Sequence, residues 1–188
     1  MSSSWFPKFY LISFVLCVLI FSACQGRISK KVNSMMHERV RPDTSYMKII
    51  TPHVSIYNST KSDKAYLLVV YNDETECLSC RATKLNEWHK FLTQVYNDYH
   101  GVEVCFIFSP KRENTQYIRK LLENQRFGHS VYIDTANVFR KSNPWIPNES
   151  IYHTFLLDKD DKIVLVGNPH KNIRISQMFF DMLEKQHN

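Results

Sequence analysis

The stretch AYLLVVYNDETECLSCRATKLNEWHKFL, residues 65–92, changes period along its length. Ala65 to Tyr71 is a short apolar run of the kind buried on both faces of a parallel sheet, and it reads as a strand. Farther on, Leu85, Trp88, Phe91 or Leu92, Val95 and Tyr99 recur at three- and four-residue steps between Lys84, Glu87, Lys90 and Asp98. That is the pattern of a helix laid on a core, and Gly101 is placed to end it. Between the two patterns stand Cys77 and Cys80. Two cysteines three apart can be a redox dithiol, half of a metal site or a local staple.

The same alternation continues downstream. VEVCFIFS (Val102 to Ser109) reads as a second buried strand. After Pro110, RENTQYIRKLLENQRFG reads as a second helix stopping near Gly128, and SVYID (Ser130 to Asp134) as a short strand. The two prolines of KSNPWIPNES bar regular structure there. YHTFLLDKDDKIVLVGN is two apolar runs around DKDD, hence an antiparallel hairpin. NIRISQMFFDMLEKQ closes the chain as a helix with Ile173, Met178, Phe179 and Leu183 available to face inward. Right-handed crossovers make the central strands parallel, and the hairpin extends the sheet antiparallel. The expectation is an α/β fold, a three-layer sandwich with a mixed central sheet and helices on both faces.

A chain of 188 residues, 44% hydrophobic and 13% aromatic, supports one well-buried core with appendages. The first appendage is N-terminal: after Lys8, FYLISFVLCVLIFSAC is apolar almost throughout. Phe9 to Ala23 falls short of the ~20 apolar residues a spanning helix needs, which favours a signal segment. FSAC resembles the lipobox of bacterial lipoproteins, with Phe21 in place of the usual Leu. That resemblance implies cleavage after residue 23 and acylation of Cys24, for instance by palmitate. It divides the chain into a signal peptide at 1–23, a lipid-anchored tether at 24–48 and a domain at 49–188.

Residues 25–48 hold six Lys or Arg against two acids, whereas residues 49–188 hold 17 against 16. A basic arm beside a lipid anchor suits an anionic membrane surface, and a solvated tether accounts for it equally well. The near-neutral body has no basic face dense enough for nucleic acid. With only four glycines there is no Gly-rich phosphate loop, and nucleotide chemistry is unsupported. Cys17 lies in the signal segment, and Cys105 sits inside a buried strand as a small hydrophobe. Cys77 and Cys80 remain to react together.

In this order of elements Cys77 falls at the carboxyl end of the first strand and Cys80 in the first turn of the following helix. Unpaired amide hydrogens at a helix start stabilise an anion, so Cys77 is expected to be the more acidic and more exposed thiol. Arg81 favours the thiolate, whereas Asp73, Glu74 and Glu76 oppose it, and composition alone does not give the sign of the balance.

YLLVVYNDETECLSC and HTFLLDKDDKIVLVGNP together resemble the thioredoxin-like domains of membrane-tethered TlpA/ResA type, and more closely the thioredoxin-like lipoproteins of Bacteroidetes. The resemblance runs from Ala65 to the C-terminus. It implies a thiol-disulfide oxidoreductase of the bacterial cell envelope, lipid-anchored and facing the periplasm, with Cys77 attacking and Cys80 resolving. Its partners would be a protein disulfide or dithiol substrate and a second redox protein, and no cofactor is required. Two positions depart from the pattern. Glu76 stands where a tryptophan is usual, and the loop that carries a cis-proline in such proteins has Tyr152 followed by His153. A cis bond before a non-proline residue costs ~3 kcal/mol, so a trans loop is expected.

Two other functions fit the same residues. If the loop lies near the dithiol, as the resemblance implies, Cys77, Cys80 and His153 could form a Cys2His set for copper or zinc in a metal-delivery protein. Alternatively the disulfide is structural, and Trp145 and Ile146, between Pro144 and Pro147, present an apolar surface as a binding module, or form a lid on their own core.

Overall fold

The computed structural model describes residues 26–41, 44–50, 65–125, 127–129 and 131–187. The signal segment, Cys17 and Cys24 lie outside them. The chain divides into two units, Met1–Ser34 and Met35–Asn188, and residues 26–35 are helical (α1). No described helix is long and apolar enough to cross a membrane.

Among the described residues the second unit holds a six-stranded sheet ordered β1-β4-β3-β2-β5-β6. Its strands are β1 (Lys48–Ile50), β2 (Tyr66–Asn72), β3 (Val102–Phe108), β4 (Val131–Ile133), β5 (Thr154–Leu157) and β6 (Ile163–Val166). β2, β3 and β4 run parallel, while β5, β6 and β1 pair antiparallel to their neighbours. The central strands are covered on both faces, which is why β2 and β3 read as continuous apolar runs rather than alternating ones.

Side chains of Leu68, Val70, Phe106, Phe108 and Leu156 meet α3 (His89–Asp98), α4 (Thr115–Asn124) and α6 (Ile173–His187) in one apolar cluster. Trp88, in the short 3-10 turn before α3, sets its ring edgewise against Phe106 and Phe91. Each fully buried large apolar side chain in such a cluster contributes about 1.5–3 kcal/mol. Alternate residues of β2 and β3 point the other way. There Tyr71 packs on Phe139 of α5 (Val138–Ser142), with ring centroids 4.8 Å apart. This is the expected three-layer arrangement. Cys105 is buried, as its strand position implies.

The structure corrects the reading at several points. The packed unit begins at Met35, not residue 49: Met35, Val40 and Met47 are buried. The His37 amide donates to the Ile163 carbonyl, the Ile163 amide to the Glu38 carbonyl, and the Val40 amide to the Asp161 carbonyl, so this segment lines the open edge of β6. β1 then pairs with β4 and was hidden by its three-residue length. On α6 the inward stripe is Ile175, Phe179, Met182 and Leu183, whereas Ile173 and Met178 are exposed. Met178 lies about 100° round the helix from Phe179 and falls off that stripe.

Candidate functional site

β2 ends at Asn72, and the chain turns through Asp73–Glu76 into α2 (Leu78–Thr83). The Asp73 carboxylate accepts from the Thr75 amide at 2.8 Å and from the Thr75 hydroxyl, a side-chain-closed turn of the kind Asp favours. Cys77 is the N-cap of α2 and Cys80 sits in its first turn. Leu78 and Ala82 are buried, leaving Cys77 and Cys80 exposed one turn apart on the outer side. Their Cα atoms are 5.3 Å apart and the two sulfurs form a disulfide. Both cysteines are exposed, so exposure does not separate an attacking sulfur from a resolving one.

Two of the three acids ahead of the pair, Asp73 and Glu76, have cationic partners. Glu76 Oε2 accepts from Arg81 Nε at 2.9 Å and Nη2 at 2.7 Å, while Oε1 lies 2.9 Å from His153 Nδ1. Asp73 Oδ2 accepts from Arg140 Nη2 at 2.8 Å. Burial alone would raise the Asp73 carboxyl, but hydrogen bonds from Thr75 and Arg140, with the charge of His153, hold it below the usual range. Arg140 also donates to the carbonyls of Ile146 and Pro147, tying the proline loop to the end of β2. Burial pushes the Tyr71 phenol, which lies beneath this network, up to about 12 against a lowering hydrogen bond with Ser109.

The loop before β5 carries Tyr152 and His153, both buried, and contains no cis peptide bond, as expected for a non-proline position. The His153 carbonyl accepts from the Tyr71 amide at 2.8 Å, which seats the loop against the strand that leads to the cysteines. His153 Nε2 donates to the Pro147 carbonyl at 2.8 Å. Both ring nitrogens are therefore engaged, and His153 could join the two thiolates around a metal only by breaking one of these bonds. Asp73, Glu76 and His153 do bring ligand atoms within 4.8 Å of one another. Their carboxylates, however, already face two guanidinium groups that a cation would have to displace. Ile146 is buried and Trp145 half-buried, so the proline loop packs on its own core.

Sequence reasoning placed Cys77, Cys80, Tyr152 and His153 in one region but missed Arg140 and the pairing of Glu76. Arg140 belongs to α5, whose N-terminus is set by Asp134: its carboxylate accepts from the Val138 and Phe139 amides at 2.9 and 2.8 Å. An Asp four residues ahead of an apolar pair was the available signal for that helix.

No family model matches the chain and no curated protein matches its sequence. Solved structures are similar to it. A hypothetical protein from Sinorhizobium meliloti superposes with a TM-score of 0.51 at 14% identity, over 80% of this chain and 85% of that one. A Chlorobium tepidum protein assigned as a thiol:disulfide interchange protein, DsbE, gives 0.50 at 11% identity, over 79% and 97%. The thioredoxin domain of a thiol-disulfide oxidoreductase from Bacteroides vulgatus gives 0.48 at 14% identity, over 79% and 97%. At these identities the likeness is one of architecture: the chain has a thioredoxin-like fold, with the Cys77–Cys80 disulfide at the carboxyl end of its β2 strand.

Proposed function

We propose that the chain is a thiol-disulfide oxidoreductase of the bacterial cell envelope, held to a membrane through an acylated Cys24. The observation that carries the redox part is the exposed Cys77–Cys80 disulfide capping the helix that follows β2 in a thioredoxin-like fold. In the reduced state the Cys77 thiolate attacks one sulfur of a substrate disulfide. A Cys77–substrate disulfide forms, and the other substrate sulfur leaves as a thiolate that takes up a proton. The Cys80 thiolate then attacks the Cys77 sulfur, forming the Cys77–Cys80 bond and releasing the second substrate thiol. Two electrons pass from the dithiol to the substrate. The dithiol of a second redox protein restores the Cys77–Cys80 dithiol by the reverse exchange and is itself left as a disulfide.

The deciding experiment equilibrates the detergent-solubilised full chain in graded thiol redox buffers, with Cys77 and Cys80 scored by alkylation and mass. Reversible titration between roughly −120 and −270 mV is expected, and a pair still oxidised below about −300 mV would be a structural staple instead. The anchor rests on the lipobox-like FSAC segment and the basic residues after it. Cys24→Ser is expected to abolish incorporation of a labelled fatty acid and to release the chain from the membrane fraction. An unlabelled wild-type chain would remove the anchor from this reading.

A further inference from the structure

The His153–Glu76 contact contains a proton that ordinary pairing rules locate. Nε2 faces the Pro147 carbonyl, which can only accept, so Nε2 carries a hydrogen. Nδ1 and Glu76 Oε1, 2.9 Å apart, are both acceptors unless one of them carries a proton too. Glu76 Oε2 already takes two donors from Arg81, an arrangement that favours the carboxylate, so the second proton belongs to the ring. His153 is then an imidazolium, nine-tenths or more shielded from water.

The charges that surround it can be counted. Arg81 of α2, Arg140 of α5 and His153 are three cations, set against the carboxylates of Asp73 and Glu76 at the end of β2 and the turn after it. The Glu76 carboxylate, one residue before Cys77, is therefore matched by two cations, Arg81 and His153, and Asp73 by one. Tyr71, whose ring centroid lies 5.3 Å from that of His153, is an uncharged phenol at neutral pH. Asp134 accepts from the Ser109 hydroxyl and two backbone amides of α5, and Glu74 is exposed to solvent.

We propose that His153 is a positioning residue for Cys77: its buried imidazolium adds a second positive charge to the Glu76 carboxylate beside Arg81 and so stabilises the Cys77 thiolate. The proposal rests on the oxidoreductase reading for its biological use, but the charge effect itself is separate. It bears on the balance that composition leaves open: Asp73 is matched by one cation, Glu76 by two, and Glu74 is left to solvent.

The test compares the pH profile of Cys77 alkylation in the thiol-reduced full chain, read by mass on the Cys77 peptide. His153→Gln leaves two cations against two carboxylates, and Cys77 is expected to react about tenfold more slowly at a pH below its midpoint, a shift of about one pH unit. The double variant Glu76→Gln/His153→Gln removes one charge of each sign and is expected to return the rate to within about twofold of wild type. A purely structural role predicts the opposite order, with the double variant at least as impaired. Nitrogen NMR of the ring in the unaltered protein keeps the proposal testable if the variants fail to fold. Both ring nitrogens should be protonated at neutral pH, and one bare nitrogen would overturn the assignment, as would an unchanged rate in His153→Gln or no recovery in the double variant. A disulfide that resists the redox buffers while showing this order of rates would defeat the oxidoreductase reading and leave the charge effect standing.

Discussion

Cys77→Ser is expected to reduce turnover of a protein disulfide to the background rate of the added thiol, while Cys80→Ser accumulates a mixed disulfide on Cys77. Both cysteines are exposed, so position in the helix decides between them. Cys77 is the N-cap, next to amide hydrogens that have no carbonyl partner within the helix, whereas Cys80 already lies inside the first turn. The attacking sulfur is the one better stabilised as an anion, and the resolving one must reach it across a single turn, which the 5.3 Å Cα separation allows. Neither substitution touches the inward side chains Leu78 and Ala82, so both variants should keep the fold, checked by near-ultraviolet circular dichroism. The readout is the site of the trapped adduct. An adduct on Cys80 in the Cys77→Ser variant, with none on Cys77 in its counterpart, would exchange the two roles, and no adduct on either would leave the pair a staple.

The order of elements was legible because the central strands and the helix faces carry strong periodic signals. Leu67 to Tyr71 and Cys105 to Ser109 are buried without a break, and Leu85, Trp88, Phe91, Leu92 and Val95 all prove to be buried. β1 was not legible, because three residues reading Lys-Ile-Ile carry no period and the pairing that makes them a strand comes from β4, far along the chain. The segment Met35–Met47 looked like a tether on charge alone. Within it, backbone groups of His37, Glu38 and Val40 pair along the edge at Asp161–Ile163, and charge composition says nothing about backbone pairing.

The site divides in the same way. The cysteines could be placed on the helix start by counting along the chain, since the feature is local. The partners of Asp73 and Glu76 could not, because Arg140 and His153 arrive from elements 67 and 77 residues away. Three acids just ahead of a dithiol therefore read as opposing its ionisation, whereas in the fold two of them are paired. The same contacts occupy His153, which sequence reasoning had offered as a metal ligand.

Arg140→Ala is expected to be the most destabilising single change near the site, by about 3–5 kcal/mol, the usual cost of removing one partner from a buried ion pair. The Arg140 side chain is 18% exposed and that of Asp73 6%, so the carboxylate left behind has little water to turn to. The carbonyls of Ile146 and Pro147 lose a donor at the same time, and the guanidinium, 5.8 Å from the Tyr71 ring centroid, no longer covers that face. The loss has a pH signature whose sign follows from the direction of the Asp73 shift. A carboxyl held low in the folded state stabilises the protein fully above its unfolded value of about 4, and that contribution drains away as pH falls through the lower folded value. The gap between wild type and Arg140→Ala in urea-unfolding free energy should therefore be widest at neutral pH and narrow as the solution is acidified below about pH 4. Asp73→Asn supplies the cross-check: in its background Arg140→Ala should cost clearly less, since the uncompensated carboxylate is gone. A gap that stays constant with pH, with additive single variants, would assign Arg140 only a role in bonding the loop carbonyls.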